Sequence, residues 1–428
     1  RELRRIQSTA REKLFWDNTI RCETKELKEG EIKSENIALP EDFDVPKSIL
    51  FKTTHTIAEV WLDGEKIYEY GNEADAPGFM KTPGSCWHIV DIPGDSSGKN
   101  LEVRIIPVYE GYYGNEVSLV YGTRGNCVLK ILMDSFKTLL LSCGILFASI
   151  ICLLLYLGAV RRKRRDKIEA KIEIFLNLGF FSLLIAVWTL AQCGFLQFLI
   201  PDGRTLYFVD YFSFFLFPVP FNFLLYDICK SRYHKGALIF SILYLTNMAV
   251  DVLLQCTGII DMSRLLSVIH VIMVANVVYT VVIILYEAGK KENDVAQKFR
   301  YPMCVVMGFG MAEMIFYYLR RFEQISILLS MGTMLFIIML IWIQVSQYYD
   351  QYIQKQKVIY LQKIANMDML TEAMNRNAYE DMVKYLDEGE IKLRTTGVVL
   401  FDLDNLKAIN DNFGHEKGDE ALKLCYQC

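Results

Sequence analysis

The stretch "FDLDNLKAINDNFGHEKGDEAL", residues 401–422, sets carboxylates, amides and glycines at regular intervals near the end of an otherwise strongly apolar chain. Just before it, Val398, Val399, Leu400 and Phe401 form a short apolar run suited to a buried strand that ends in a polar turn carrying Asp402 and Asp404. Two carboxylates one residue apart at a strand end offer the hard oxygen donors that Mg²⁺ takes together with phosphate. Asp-x-Asp is also common in solvated turns, so the neighbouring sequence has to decide.

The neighbours are "DMLTEAMNR" (368–376) on one side and "EKGDEAL" (416–422) on the other. In order and spacing these segments resemble the start of the GGDEF domain of diguanylate cyclases, over residues 367–428. The resemblance implies an α/β domain that binds GTP and Mg²⁺ or Mn²⁺ and joins two GTP into cyclic di-GMP across a homodimer. It assigns metal ligation to the Asp402 carboxylate and the Leu403 carbonyl. Asn405, Leu406 and Lys407 would hold the phosphates, with Asp402 and Lys407 serving catalysis. Asn410 and Asp419 would read the guanine edge, where a carboxylate suits the N1–H and exocyclic amine that adenine does not present as a pair. Gly414 and Gly418 would permit the loop between these contacts, and His415 is given a structural hydrogen bond rather than a metal. One departure stands in the opening motif: the family has Gly-Leu after Leu-Thr, and Glu372-Ala373 stand here. The chain stops at Cys428, before the Gly-Gly-Asp/Glu-Glu-Phe hairpin, and starts at Arg1 without Met. The expectation is therefore a fragment of a longer enzyme, inactive by itself, preceded by an export signal or an upstream helix.

Upstream, "SQYYDQYIQKQKVIYLQKIAN" (346–366) reads as a helix with an apolar stripe at Tyr349, Ile353, Val358, Leu361 and Ile364. That stripe fits a short parallel coiled coil between protomers, or a solvated connecting helix.

Seven apolar segments precede it, at about 137–160, 173–199, 206–229, 237–257, 265–286, 301–319 and 325–345. Each can cross ~30 Å of hydrocarbon as ~20 helical residues. "RRKRRDKIEAK", "KSRYHK" and "KKENDVAQKFR" carry more Lys and Arg than the loops near Arg204, Arg264 and Arg320-Arg321. The positive-inside rule makes the first group cytoplasmic, which puts residues 1–131 outside and residues 346–428 inside. The run Arg161–Arg165 is then a stop-transfer flank. Asp251, Glu313 and His270 inside the segments are either a hydrogen-bonded interior that responds to ligand or locally paired packing. Pro218 and Pro220 should kink the third segment.

Residues 1–131 read as β. "IAEVWLDGEKIYEYG" holds two strand-forming runs around Asp63-Gly64, a tight-turn dipeptide. "LEVRIIP" alternates buried and polar positions. Short strands between Gly, Pro and Asp clusters indicate a sandwich. Through "VWLDGEKIYEYG", "WHIVDIP" and "VYEGYYGNEVSLVYG" the stretch resembles the galactose-binding-like, jelly-roll sensor domains of seven-helix bacterial receptors. The resemblance implies a small-molecule ligand, a carbohydrate by analogy. Trp61, Trp87, Tyr109, Tyr112 and Tyr113 are the rings that could stack on it, or else sandwich core.

Composition agrees with this division. Of 428 residues 52% are hydrophobic, well above the usual soluble share, and the excess lies between about Leu139 and Ile343. A net charge of -4 without a basic stripe argues against a nucleic-acid partner. Of the eleven cysteines only Cys22, Cys86 and Cys127 fall in the first part, enough for one disulfide at most. The expected whole is a multi-domain protein of a bacterial inner membrane: β-sandwich sensor (1–131), seven-helix domain (132–345), signalling helix (346–366) and incomplete GGDEF domain (367–428). A non-catalytic receptor that only binds GTP or cyclic di-GMP is the alternative. A transporter fits less well, since no inverted repeat is evident.

Overall fold

The computed structural model describes residues 18–21, 33–39, 46–72, 77–109, 118–166, 173–290, 293–319, 326–387, 397 and 399–427. The chain divides into two compact units, Arg1–Leu340 and Ile341–Cys428.

The first unit opens with eight strands: β1 (Asn18–Arg21), β2 (Lys33–Ala38), β3 (Lys47–Thr54), β4 (Thr56–Leu62), β5 (Glu65–Tyr70), β6 (Ser85–Ile92), β7 (Asn100–Pro107) and β8 (Ser118–Gly122). They form two four-stranded antiparallel sheets in the orders β1-β8-β3-β6 and β2-β7-β4-β5. Alternation decides the inner faces. Leu101, Val103 and Ile105 of β7 point inward and meet Ile49 and Phe51 of β3, Val60 of β4 and Val90 of β6 in one shared core. Between β4 and β5, Asp63 (φ 47°) and Gly64 (φ 83°) both take positive φ. That is the geometry a two-residue hairpin needs to match strand twist, and the one the Asp-Gly pair foretells.

Helices follow: α1 (Arg124–Asp166), α2 (Glu173–Ala191), α3 (Gly203–Leu216), α4 (Pro218–Ile228), α5 (Lys235–Cys256), α6 (Leu266–Gly289), α7 (Asp294–Tyr318) and α8 (Ile327–Asn366). Five stretches among the described residues are long and apolar enough to cross a membrane: Arg124–Arg161, Glu173–Ala191, Gly203–Ile228, Arg232–Cys256 and Met262–Gly289. Helix α7 and the apolar start of α8 cover the other two expected segments, but α7 carries charge and the apolar part of α8, Ile327–Ile343, is short. Leu140, Phe147, Leu154, Val271, Val278 and Val282 are more than half exposed on these helices, a distribution that suits contact with lipid. The third stretch breaks at Phe217, whose N–H reaches Ser213 O at 3.1 Å, before Pro218 starts α4. Proline lacks the N–H that would continue the ladder.

The sandwich is tied to the helices by side chains that complete exposed backbone groups. Strand β6 is a sheet edge. There Gln197 acts as a short substitute strand: its Oε1 accepts from Trp87 N–H (2.7 Å) and its Nε2 donates to Trp87 O (2.6 Å). A second tie centres on Asp261, between α5 and α6. Its carboxylate accepts from Lys81 N–H (3.2 Å), Thr82 N–H (3.2 Å), Gln255 Nε2 (2.7 Å) and the Tyr109 hydroxyl. Gln255 also donates to Phe79 O at 2.6 Å. Burial pushes the Asp261 carboxyl above the ordinary carboxylate range.

The ionisable groups read from the apolar segments are all partnered. Asn247 donates to Asp251 (2.6 Å), Ser326 N–H and Leu329 N–H donate to Glu313 (2.6 and 2.7 Å), and His270 Nδ1 pairs with the Tyr318 hydroxyl (2.9 Å). Cys86 and Cys127 are buried free thiols. Cys22, Lys291, Arg320 and Arg321 lie outside the described residues, as does part of the run after Asp166.

In the second unit α8 runs on to Asn366, and α9 (Arg376–Asp387), α10 (Leu406–Phe413) and α11 (His415–Gln427) follow. Among the described residues of the buried strand expected at 398–401, none is in a strand. Val398 lies outside the described residues, and Val399, Leu400 and Phe401 are irregular and 73%, 94% and 85% exposed. A strand exists only in its ladder, and among the described residues of this unit the only β pairing is the isolated bridge between Met367 and Met374.

Candidate functional site

The cluster of site residues named from the sequence lies on the turn 401–405 and the helical pair α10–α11. Asp402 and Asp404 are exposed, with Leu403 between them half-buried. Three consecutive residues thus offer two carboxylates and a carbonyl, the donor set a hard cation takes. No group of three or more His, Cys, Asp or Glu among the described residues could hold an ion by side chains alone. A Mg²⁺ or Mn²⁺ at this turn would complete its shell with phosphate and water, as Mg²⁺ commonly does.

Asn405 then turns the chain into α10. It adopts the left-handed conformation (φ 58°, ψ 22°) and its side chain does not cap the helix. The first hydrogen bond of α10 runs from Ile409 N–H to Asn405 O at 3.1 Å. The N–H groups of Leu406 and Lys407 therefore sit in the first turn, where a helix has no acceptors for them and its dipole favours an anion. Lys407 adds an exposed ammonium beside them.

Helix α10 stops at Gly414, which has φ 85° and donates to Asn410 O at 2.9 Å. Positive φ without a Cβ penalty lets α11 begin at the next residue, doubling the chain back. Gly418, on the first turns of α11, abuts the Asn410 side chain so closely that a Cβ there would overlap it. This contact sets Asn410 against Gly418, the residue before Asp419, the other position expected to read guanine. His415 opens α11 and is exposed.

The turn that opens the domain is closed by its own side chains. Asp368 Oδ1 accepts from Leu370 N–H (3.1 Å), Thr371 N–H (2.9 Å) and the Thr371 hydroxyl (2.9 Å). These bonds, the backbone donor of Thr371 first, hold the Asp368 carboxyl below its ordinary range. Asn375 ties back to the end of α8 through Ala365 O at 2.7 Å. Glu372, at the position where the sequence departs from the family, has φ 59°. The left-handed conformation that glycine takes freely is kept, with a glutamate in it.

Of the aromatics proposed for the sensor domain, the described ones, Trp61, Trp87 and Tyr109, do not share one site. Trp61 lies under the Arg104 guanidinium (4.5 Å) and near the Lys66 ammonium (5.8 Å), donating its indole N–H to Glu59 at 2.9 Å. Tyr109 is buried and donates to Asp261, which makes it part of the tie between sandwich and helices. Trp87 lies at the same junction, against Gln197. Tyr112 and Tyr113 are outside the described residues. Gln197, Gln255 and Asp261 were not legible beforehand, because nothing in a sequence marks which polar side chain will meet a distant strand.

Comparison with known proteins bears on the second unit. Residues 365–427 match the family described as diguanylate cyclase, GGDEF domain. A diguanylate cyclase of Vibrio cholerae is 38% identical over 63 residues, 14% of this chain and 20% of that protein. The probable diguanylate cyclase DgcI of Escherichia coli is 39% identical over 67 residues, 16% of this chain and 14% of that protein. The cyclic di-GMP phosphodiesterase NbdA of Pseudomonas aeruginosa is 37% identical over 65 residues, 15% of this chain and 8% of that protein. The chain thus spans about a fifth or less of the length of these relatives. No solved structure matches. Residues 365–427 are a GGDEF-domain segment with diguanylate cyclase homologues, in a chain whose described residues include five helical stretches apolar enough to cross a membrane.

Proposed function

We propose that this chain belongs to a membrane-bound sensor diguanylate cyclase of the seven-helix, diverse-intracellular-signalling receptor type. In this reading a jelly-roll sandwich outside the bacterial inner membrane binds a small molecule, seven spans relay it, and a cytoplasmic GGDEF domain converts two GTP into cyclic di-GMP. The observation that carries the catalytic part is the juxtaposition within residues 402–419. An oxygen-donor turn, an uncapped helix start with Lys407, and the Asn410–Gly418 contact beside Asp419 lie along one short stretch.

Asp402 and Leu403 would hold the metal, which supplies charge neutralisation on the phosphates. The N–H groups of Asn405 and Leu406 and the Lys407 ammonium would orient the triphosphate. Asn410 and Asp419 would select guanine. Two such half-sites must face each other, and the exposed apolar positions Tyr349, Ile353, Val358, Leu361 and Ile364 of α8 supply a surface for the homodimer. The five apolar stretches, with α7 and the start of α8 as the sixth and seventh spans, support the membrane assignment.

The second reading is a receptor whose GGDEF segment binds nucleotide without joining it. It is favoured by the relatives named as cyclic di-GMP phosphodiesterases, which are similar to this chain over 64 to 67 residues. The full-length gene product in membranes, supplied with GTP and Mg²⁺, separates the two. Cyclic di-GMP that disappears in Asp402→Ala is expected; a folded, dimeric protein that binds GTP and forms no product establishes the second reading instead.

A further inference from the structure

Where the sandwich meets the helices, the first unit holds a partly open cavity of about 220 Å³. A single water needs only ~10–15 Å³ measured this way, so the space admits a small organic molecule. Lys52, His55 and Trp87 line it from the sandwich, and α2, α3, α6 and α7 line it from below. A chain of rings runs along the helical side. Trp188 lies 5.2 Å from Phe214, Phe214 lies 5.9 Å from His270, and His270 lies 5.3 Å from Tyr317.

Two carboxylates share this lining, each one helical turn from one of the rings. Asp210 precedes Phe214 by four residues on α3, and Glu313 precedes Tyr317 by four on α7, spacings that place each pair on one helix face. Both groups are fixed in place. Gln192 Nε2 lies 2.8 Å from each oxygen of Asp210, and the two oxygens of Glu313 accept Ser326 N–H and Leu329 N–H. A carboxylate has about four lone-pair sites, so each retains acceptor capacity. Neither takes part in an ion pair among the described residues.

By formal charge the lining sets the two carboxyls of Asp210 and Glu313 against the ammonium of Lys52. Lys52 is exposed, its ammonium 5.9 Å from the Trp87 ring and close enough to Asp210 to act on its carboxyl. His55 adds no positive charge near neutrality, because burial holds its imidazole down at about 4. An anion would face two carboxylates. A neutral polyol would meet ring faces and acceptors with few donors to match its oxygens. A cation is drawn both by the carboxylates and by the negative faces of the rings.

We infer that this cavity binds a small organic cation, an ammonium group held among the rings of Trp188, Phe214 and Tyr317 with Asp210 and Glu313 as its counter-charges. The inference does not rest on the cyclase reading, since its readout is binding. Choline and its uncharged isostere 3,3-dimethylbutan-1-ol, with glucose as a neutral polyol, would be titrated into the full chain in lipid nanodiscs. Calorimetry would report affinity, and Trp fluorescence would report occupancy near Trp87 and Trp188. The expected result is choline binding at least about tenfold tighter than its isostere, weakened about tenfold or more by Asp210→Asn or Glu313→Gln in protein whose circular dichroism is unchanged. Equal affinity for choline and the isostere would overturn the inference, as would preference for glucose or unchanged choline binding in both folded variants. No binding by choline, ethanolamine or trimethylamine would overturn it too. Cyclic di-GMP formation is scored separately, so failure of either reading leaves the other standing.

Discussion

Glu372 and Gly418 are single residues at which the GGDEF segment is tuned. At Glu372 the left-handed backbone costs a non-glycine residue ~1–2 kcal/mol, whereas glycine loses ~0.5–1 kcal/mol more entropy on folding. The first effect is the larger. Glu372→Gly should therefore stabilise the turn by up to about 1 kcal/mol, read as slower amide exchange at Leu370, Thr371 and Asn375. At Gly418 the competition goes the other way for function. Alanine is the better helix former by ~1 kcal/mol, but its Cβ would overlap the Asn410 side chain and displace the amide proposed to read guanine. Gly418→Ala should leave stability within about 1 kcal/mol of the parent and weaken GTP about tenfold, measured by calorimetry. Among single residues of the sandwich, His88 has both ring nitrogens engaged, with the Thr53 hydroxyl at 2.6 Å and the Tyr68 hydroxyl at 2.9 Å. Burial pushes it down to about 3, and His55 to about 4, from 6.5. Between those values the unfolded chain binds more protons than the folded one. The stability these imidazoles allow is thus complete above pH 6.5 and is lost on acidification. The slope is up to about 1.4 kcal/mol per pH unit for each. Denaturant titrations at pH 7 and pH 5 check it, and His88→Phe should flatten the dependence.

At the scale of elements, β6 is a sheet edge, and the Gln197 side chain pairs with its backbone at Trp87. Gln197→Ala removes both hydrogen bonds to Trp87 and should cost about 1–3 kcal/mol, with faster exchange of the Trp87 amide as the local sign. Gln197→Glu keeps the acceptor and loses the donor, so it should retain protection of that amide while leaving Trp87 O unpaired. The strand and hairpin readings, "LEVRIIP" and Asp63-Gly64, were legible because they rest on local period and backbone preference. The strand at 398–401 misled for a complementary reason. Apolar residues in a row show that a segment would be buried if it had neighbours, and cannot say whether the neighbours are present.

At the scale of the molecule, Asp261, in the gap between two membrane-type helices, takes three donors from the sandwich region, Lys81 N–H, Thr82 N–H and the Tyr109 hydroxyl, and a fourth from Gln255 of α5. Asp261→Ala leaves the buried Thr82 N–H without an acceptor, which costs ~1–3 kcal/mol, and frees the part-buried Lys81 N–H at a smaller cost. The expected outcome is loosening of the sandwich from the helices, seen as faster proteolysis within 77–84 while the far-ultraviolet spectrum stays unchanged. Stable docking in that variant would show that the Gln197 clasp suffices.

The sequence by itself determined what depends on neighbours along the chain. Hydropathy named seven apolar segments, of which five are long and apolar enough to cross a membrane among the described residues; alternation and the Asp63-Gly64 turn located β4, β5 and β7, and the spacing from Asp368 to Asp419 identified the GGDEF segment and its candidate contacts. Only the tertiary structure decided which polar side chains would satisfy distant backbone groups. It put Gln197 on Trp87 and Tyr109 on Asp261, and brought Asp210 and Glu313 to one cavity. The physical reason is that a hydrogen bond or a cavity wall between residues far apart in sequence carries no local signature. A glutamine that clasps a strand and one that faces water are the same letter until the chain has folded around them.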